Sequence, residues 1–201
     1  TDNTAQSGGG VYVAEGGAFT LSGGTVTGNT ASTAGGGVNV ADGGTFNVSG
    51  KSVVNGNALT DGTASNVQLY LGNYINITGR LSFGADIGVT IWESESNSSM
   101  PNYSVFTAGY DYRGEGSANG ETFPSAYFHS DAGAYEVGLN TKKKDSGEGE
   151  TLEAQLVTPW TALHSRLRYQ LPESGGVNQN SVRVYCNLGP KANAPGKMEG
   201  G

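Results

Sequence analysis

The sequence predicts an all-β chain, a parallel β-helix (solenoid) of stacked coils, with a short helix-plus-strand extension near its C-terminal end. Three observations carry this expectation. The first is a repeat: GGGVYVAEGGAFTLSGGTVTGNTASTA, from Gly8, and GGGVNVADGGTFNVSGKSVVNGNALTD, from Gly35, agree at about half their positions, and a period of about 27 residues signals stacked repeats. The second is alternation of apolar and polar residues in short runs, the mark of half-buried strands. The third is the glycine between the runs, which supplies the positive φ of sharp corners.

The elements follow in order. The first line holds Val11-Tyr12-Val13, Phe19-Thr20-Leu21 and Val26-Thr27; the second holds Val38-Asn39-Val40, Phe46-Asn47-Val48 and Val53-Val54. Stacking each strand on its copy about 4.8 Å away pairs them in parallel. Val11, Val13, Phe19, Leu21 and Val26 are then expected inward, with Val38, Val40, Phe46, Val48 and Val53 over them. The apolar set of one coil does not offset the entropy of ordering its backbone, so each coil is expected to need neighbours on both sides. Thr1 to Ser7 match Thr27 to Thr33, the end of a coil. The expectation is therefore a segment of a longer array, for which the lack of a signal peptide carries no information.

A degenerate third coil follows. Val67, Leu69 and Leu71 alternate with Gln68 and Tyr70, Thr63-Ala64-Ser65 stands in for the triple glycine, and runs at 74–77, 81–83 and 87–91 continue the pattern. Trp92 to Tyr103 reads as a polar loop, Asp111 to Thr122 as a long excursion and Thr141 to Glu150 as a solvated turn. Strands are expected around Val105-Phe106, Tyr127-Phe128, Tyr135 to Val137 and Leu152 to Val157. Residues 1–157 thus form the β-helix with its terminal coils and loops. In 158–188, Thr158-Pro159 is a helix start, Trp160, Leu163, Leu167 and Leu171 share one face, Pro172 stops the helix, and Ser181 to Leu188 alternates as a strand. Residues 189–201 read as a disordered tail.

These stretches resemble a known family. GGGVYV…GGAFTLSGGTVTGNTA, NVQLYLGNYINITGRLSFGADIGVTI, SVFTAGY, AYFHSDAGAYEVGLN and ETLEAQLV are similar to the glycine-rich repeat region of large secreted adhesin-like surface proteins of gut bacteria. More loosely, they resemble the repeats of chlamydial polymorphic outer-membrane proteins. The resemblance spans Thr1 to about Leu156 and implies a right-handed β-helix in an adhesin-like protein on the bacterial cell surface. The helix-then-strand of 158–188 resembles the N-terminal cap of a following β-helix module.

Composition narrows the partners. Among 201 residues, 34 are glycine, 14% are charged and the formal net charge is -7. The acidic balance argues against nucleic acid, which needs clustered Lys and Arg. No apolar run spans a membrane. Cys186 has no second cysteine to pair with.

Candidate chemistry is sparse. Asn3, Asn29 and Asn57 sit before the next corner and are expected to form a structural asparagine ladder. Glu15 and Asp42, one per coil, provide too few oxygens for calcium, and no metal or cofactor is expected. The acid pairs Glu93/Glu95 and Asp131/Glu136 invite comparison with polysaccharide cleavage, which needs two placed carboxyls. They lie in loops, and His129 and His164 lack a nucleophile partner. Leu171-Pro172-Glu173-Ser174-Gly175 approaches a sortase signal but has no hydrophobic tail after it. The reading is non-enzymatic, with no catalytic residues: an extracellular, secreted stalk or adhesin segment whose partners are host or bacterial surface glycans or proteins. The alternative is a polysaccharide lyase or glycoside hydrolase. Outward strand positions offer Tyr12, Asn39, Gln68 and Tyr70. The expected ligand site is on the loops, at Trp92, Tyr103, Tyr110, Tyr112 and Arg113, beside Asn97 and Asn102, because aromatic rings flanked by amides suit sugars and protein hot spots.

Overall fold

A computed structural model describes residues 1–92, 104–110, 122–140 and 153–157. The chain divides into two units, Thr1–Tyr169 and Gln170–Gly201, and every described residue belongs to the first. The expected helix and strand of 158–188 and the tail at 189–201 lie outside the described residues.

The first coil consists of β1 (Thr4–Ser7), β2 (Val11–Val13) and β3 (Ala18–Val26), and the second of β4 (Thr30–Ala34), β5 (Val38–Val40) and β6 (Thr45–Val54). The third has β7 (Ala58–Leu59), β8 (Val67–Tyr70) and β9 (Ile75–Leu81), followed by β10 (Asp86–Trp92). Then come β11 (Ser104–Val105), β12 (Thr107–Ala108), a 3-10 turn at Pro124–Ala126, β13 (Phe128–Ser130), β14 (Glu136–Leu139) and β15 (Ala154–Val157). Equivalent strands pair in parallel between coils: β1-β4-β7, β2-β5-β8-β10 and β3-β6-β9-β12. The fold is a parallel β-solenoid of about three turns. No α-helix occurs among the described residues.

Stacking builds the core in columns. Val11, Val38 and Val67 lie in register, as do Phe19, Phe46 and Ile75. The rings of Phe19 and Phe46 stack at 5.4 Å between centroids, 6° from parallel. Val38, Val40, Phe46 and Val48 are fully buried, while Val11, Phe19, Leu21 and Val26 of the first coil are only partly covered.

Three expectations need correction. Val54, not Val53, lies under Val26 and is fully buried. The coil spacing passes from 27 residues (Ser22 to Ser49) to 28 (Gly24 to Ser52) at a bend in β3 and β6. That one-residue shift also aligns Asn29 with Asn57, which a constant repeat length misses. Leu71, expected inward, is exposed because β8 ends at Tyr70. Asn39 and Gln68, expected on an open outer face, are buried. The turn before β5 folds across them: a Cβ on Gly35 would come within 2.7 Å of the Asn39 Cβ, and the Gly35 N–H donates to Gln68 Oε1 at 3.2 Å. Gly35 has φ +56, a conformation that glycine adopts at low cost.

The stack closes differently at its far end. β10 starts on the β6 side, pairing Ile87 with Val54, and continues straight onto β8, pairing Trp92 with Tyr70. β13 adds to β10 in parallel. Beyond it, β11, β15 and β14 form an antiparallel sheet whose Val137, Leu139, Ala154 and Leu156 join the main core with Phe106, Tyr110 and Phe128.

Candidate functional site

The corner asparagines form a continuous, one-way ladder. Asn3 donates its backbone and side-chain N–H to Asn29 Oδ1 at 3.1 and 2.9 Å. Asn29 does the same to Asn57 Oδ1, both at 3.0 Å. Asn57 donates to Asn66 Oδ1 at 2.9 and 3.1 Å. Asn66 ends the run on a carboxylate, its N–H 2.7 Å from Asp131 Oδ2 and its Nδ2 2.6 Å from Asp131 Oδ1. Buried amides require partners, and here each rung satisfies the next. Asn66 and Asp131 were not visible as rungs in sequence. Asn66 follows Asn57 by nine residues because a tight return at 58–64, bridged Ala58 to Ala64, replaces the first part of a coil. The Asp61-Gly62 pair was the available signal for that return.

Asp131 also anchors the second feature. Its side chain is 1% exposed. His129 lies between two carboxylates, with Nδ1 2.9 Å from Asp86 Oδ1 and Nε2 3.7 Å from Asp131 Oδ1. Thr90 Oγ1 is 3.5 Å from Asp131 Oδ2, and Asn55 Nδ2 donates to Asp86 Oδ2 at 2.5 Å. Gly88 makes room for this meeting: a Cβ there would lie 2.3 Å from Asp131 Oδ1, 2.4 Å from Asn66 Nδ2 and 2.7 Å from His129 Nε2. Charged hydrogen bonds of this kind tie β13 to the coil beneath. Ser130 Oγ is turned to the Ala132 carbonyl, away from service to His129. Both oxygens of Asp131 accept hydrogen bonds within the ladder, and Glu136 is exposed on β14. Glu93, Glu95 and His164 lie outside the described residues.

A third carboxylate organises the closing sheet. Glu153 accepts from the Thr107 hydroxyl at 2.7 Å and from the N–H groups of Gly109 and Tyr110 at 2.8 and 2.9 Å. It thereby fixes the turn that carries Tyr110 inward. Tyr110, expected on an exposed loop, is fully buried. Its ring meets Phe128 edge-on at 6.2 Å and its hydroxyl donates to the Thr122 carbonyl. Tyr110 is therefore a core residue and presents no surface to a ligand.

Trp92 does face out. It is 42% exposed and packs edge-on against Tyr70, its neighbour in register, at 4.8 Å. Leu71 and Tyr74 are exposed along the same strand end, and Tyr12 is 56% exposed at the open edge. Tyr103, Tyr112, Arg113, Asn97 and Asn102 lie outside the described residues. Glu15 and Asp42 are exposed at their corners. Among the described residues no group of three or more His, Cys, Asp or Glu is placed to hold a metal ion, and no helix is long and apolar enough to cross a membrane.

The class that this fold defines is the parallel β-solenoid, its inner columns and corner ladder committed to cohesion. Comparison with protein-family models, curated proteins and solved structures gave no match.

Proposed function

We propose that this chain is a non-enzymatic segment of an extracellular, secreted bacterial surface protein of the adhesin-like repeat family that it resembles. It acts as a stalk that displays its outer faces and loops to glycans or proteins of a host or of other bacteria. The observation that carries the reading is the exposed face of Trp92, held edge-on against the half-buried Tyr70 on the stacked coils. Aromatic planes next to polar side chains stack well on sugar rings and serve as protein hot spots.

A glycan panel scored for both retention and cleavage tests this. Retention that drops at least tenfold in Trp92→Ala, with the melting temperature unchanged, supports display by this face. Turnover of any polysaccharide would replace the reading with that of a lyase or glycoside hydrolase.

A further inference from the structure

The corner that closes the second coil reads Asn55-Gly56, whereas the equivalent corner of the first coil reads Thr27-Gly28. Asn55 is half-buried and Gly56 is exposed. Gly56 has φ +71, and its N–H lies 2.7 Å from Asn55 Oδ1. That N–H has no backbone acceptor among the described residues. The other end of the amide is held too, since Asn55 Nδ2 donates to Asp86, which in turn binds His129. The side-chain carbonyl is thus folded back over the next peptide nitrogen, and glycine adds no side chain to obstruct their approach.

We propose that Asn55-Gly56 is a modification site at which the folded chain deamidates itself, releasing the clamp formed by Asp86 and His129. After the Gly56 N–H loses its proton to water or hydroxide, the nitrogen attacks Asn55 Cγ. The new N–Cγ bond forms, the Cγ–Nδ2 bond breaks, and ammonia leaves with a proton taken from water. Water then opens either carbonyl of the resulting five-membered imide, leaving aspartate or isoaspartate at position 55. Nothing is oxidised or reduced; one amide is hydrolysed to a carboxylate and ammonium. The product sets a carboxylate where a donor had faced Asp86, and like charges at that distance repel. The isoaspartate route also lengthens the main chain beside Asn57, whose Nδ2 is 3.3 Å from the Asn55 carbonyl oxygen.

The test incubates the folded full chain in mildly alkaline buffer and follows it by peptide mapping, with an isoaspartate assay. A parallel sample unfolded in guanidinium serves as reference. The expected result is conversion of Asn55 in the folded sample with release of ammonia. The converted protein melts at a lower temperature, matching Asn55→Asp. In Asn55→Thr, which borrows the first coil's corner residue, the conversion disappears and the melting temperature holds through the incubation. An Asn55 that stays intact when folded but converts in guanidinium overturns the proposal. Conversion with unchanged melting overturns release of the clamp.

Discussion

The first and second coils are written in nearly the same residues, yet they are buried to different degrees. Phe46 is fully enclosed between Phe19 and Ile75, while Phe19 is only partly covered among the described residues. At the opposite end the chain abandons the repeat. An antiparallel sheet and three aromatic rings, Phe106, Tyr110 and Phe128, cover the last parallel strands. The contrast teaches that cohesion in a solenoid belongs to the interfaces between coils rather than to the repeat motif. Identical motifs contribute differently according to what lies above and below.

The largest expected effect tests that contrast at the phenylalanines. Phe46→Ala should cost about 3–5 kcal/mol by chemical denaturation, and Phe19→Ala about 1–2 kcal/mol, because part of its ring already meets water. Equal losses would contradict the difference in burial. The ladder gives the next pair. Asn57→Ala leaves the two donors of Asn29 without their acceptor, a loss of about 3 kcal/mol at about 1–3 kcal/mol per buried group. Asn3→Ala, at the exposed end, should stay within about 0.5 kcal/mol. Hydrogen exchange at the Asn29 amide reports the difference directly.

Two glycines provide a third pair. Gly88→Ala should destabilise by about 1–3 kcal/mol through overpacking against Asp131 and Asn66. Gly16→Ala meets no neighbouring atom and should lose only about 1 kcal/mol, from its positive φ. Thermal melts rank the two.

The smallest effect concerns Asp61, on the return that replaces part of the third coil. Hydrogen bonds from the Thr63 backbone N–H, and then from its side chain, hold this carboxyl below its ordinary value. A depressed carboxylate contributes stability above its unfolded pKa, and that contribution fades as pH falls through the folded value. Asp61→Asn should flatten the acid limb of a pH–stability curve slightly. A steeper limb in the variant would contradict the assignment.

Much of this fold was legible because stacking repeats the same demand every coil. Val38, Val40, Phe46 and Val48 announce themselves by alternation at a fixed distance from their copies. Legibility failed where the period changed: the extra residue between Ser49 and Ser52 moved Val53 out from under Val26. Burial of Asn39 and Gln68 followed from a glycine turn lying across an outer face, which residue pattern alone does not encode. The site was less readable still. Asn66 and Asp131 join the ladder through a shortened return and a contact 65 residues apart, neither of which leaves a spacing to detect. Tyr110 looked like a loop aromatic because the carboxylate that turns it inward, Glu153, is distant in sequence.

The one-way ladder has an electrical consequence. Every rung points its backbone N–H and one side-chain N–H toward Asp131 and its oxygen away, so the amide dipoles add head to tail and present their positive end to a buried carboxylate. The solenoid thereby reproduces along its corner what a helix does at its N-terminus for a bound anion. Such a row acts as a single polarised filament, and a lesion at Asn29 should be sensed at Asp131, beyond the reach of any direct contact between them.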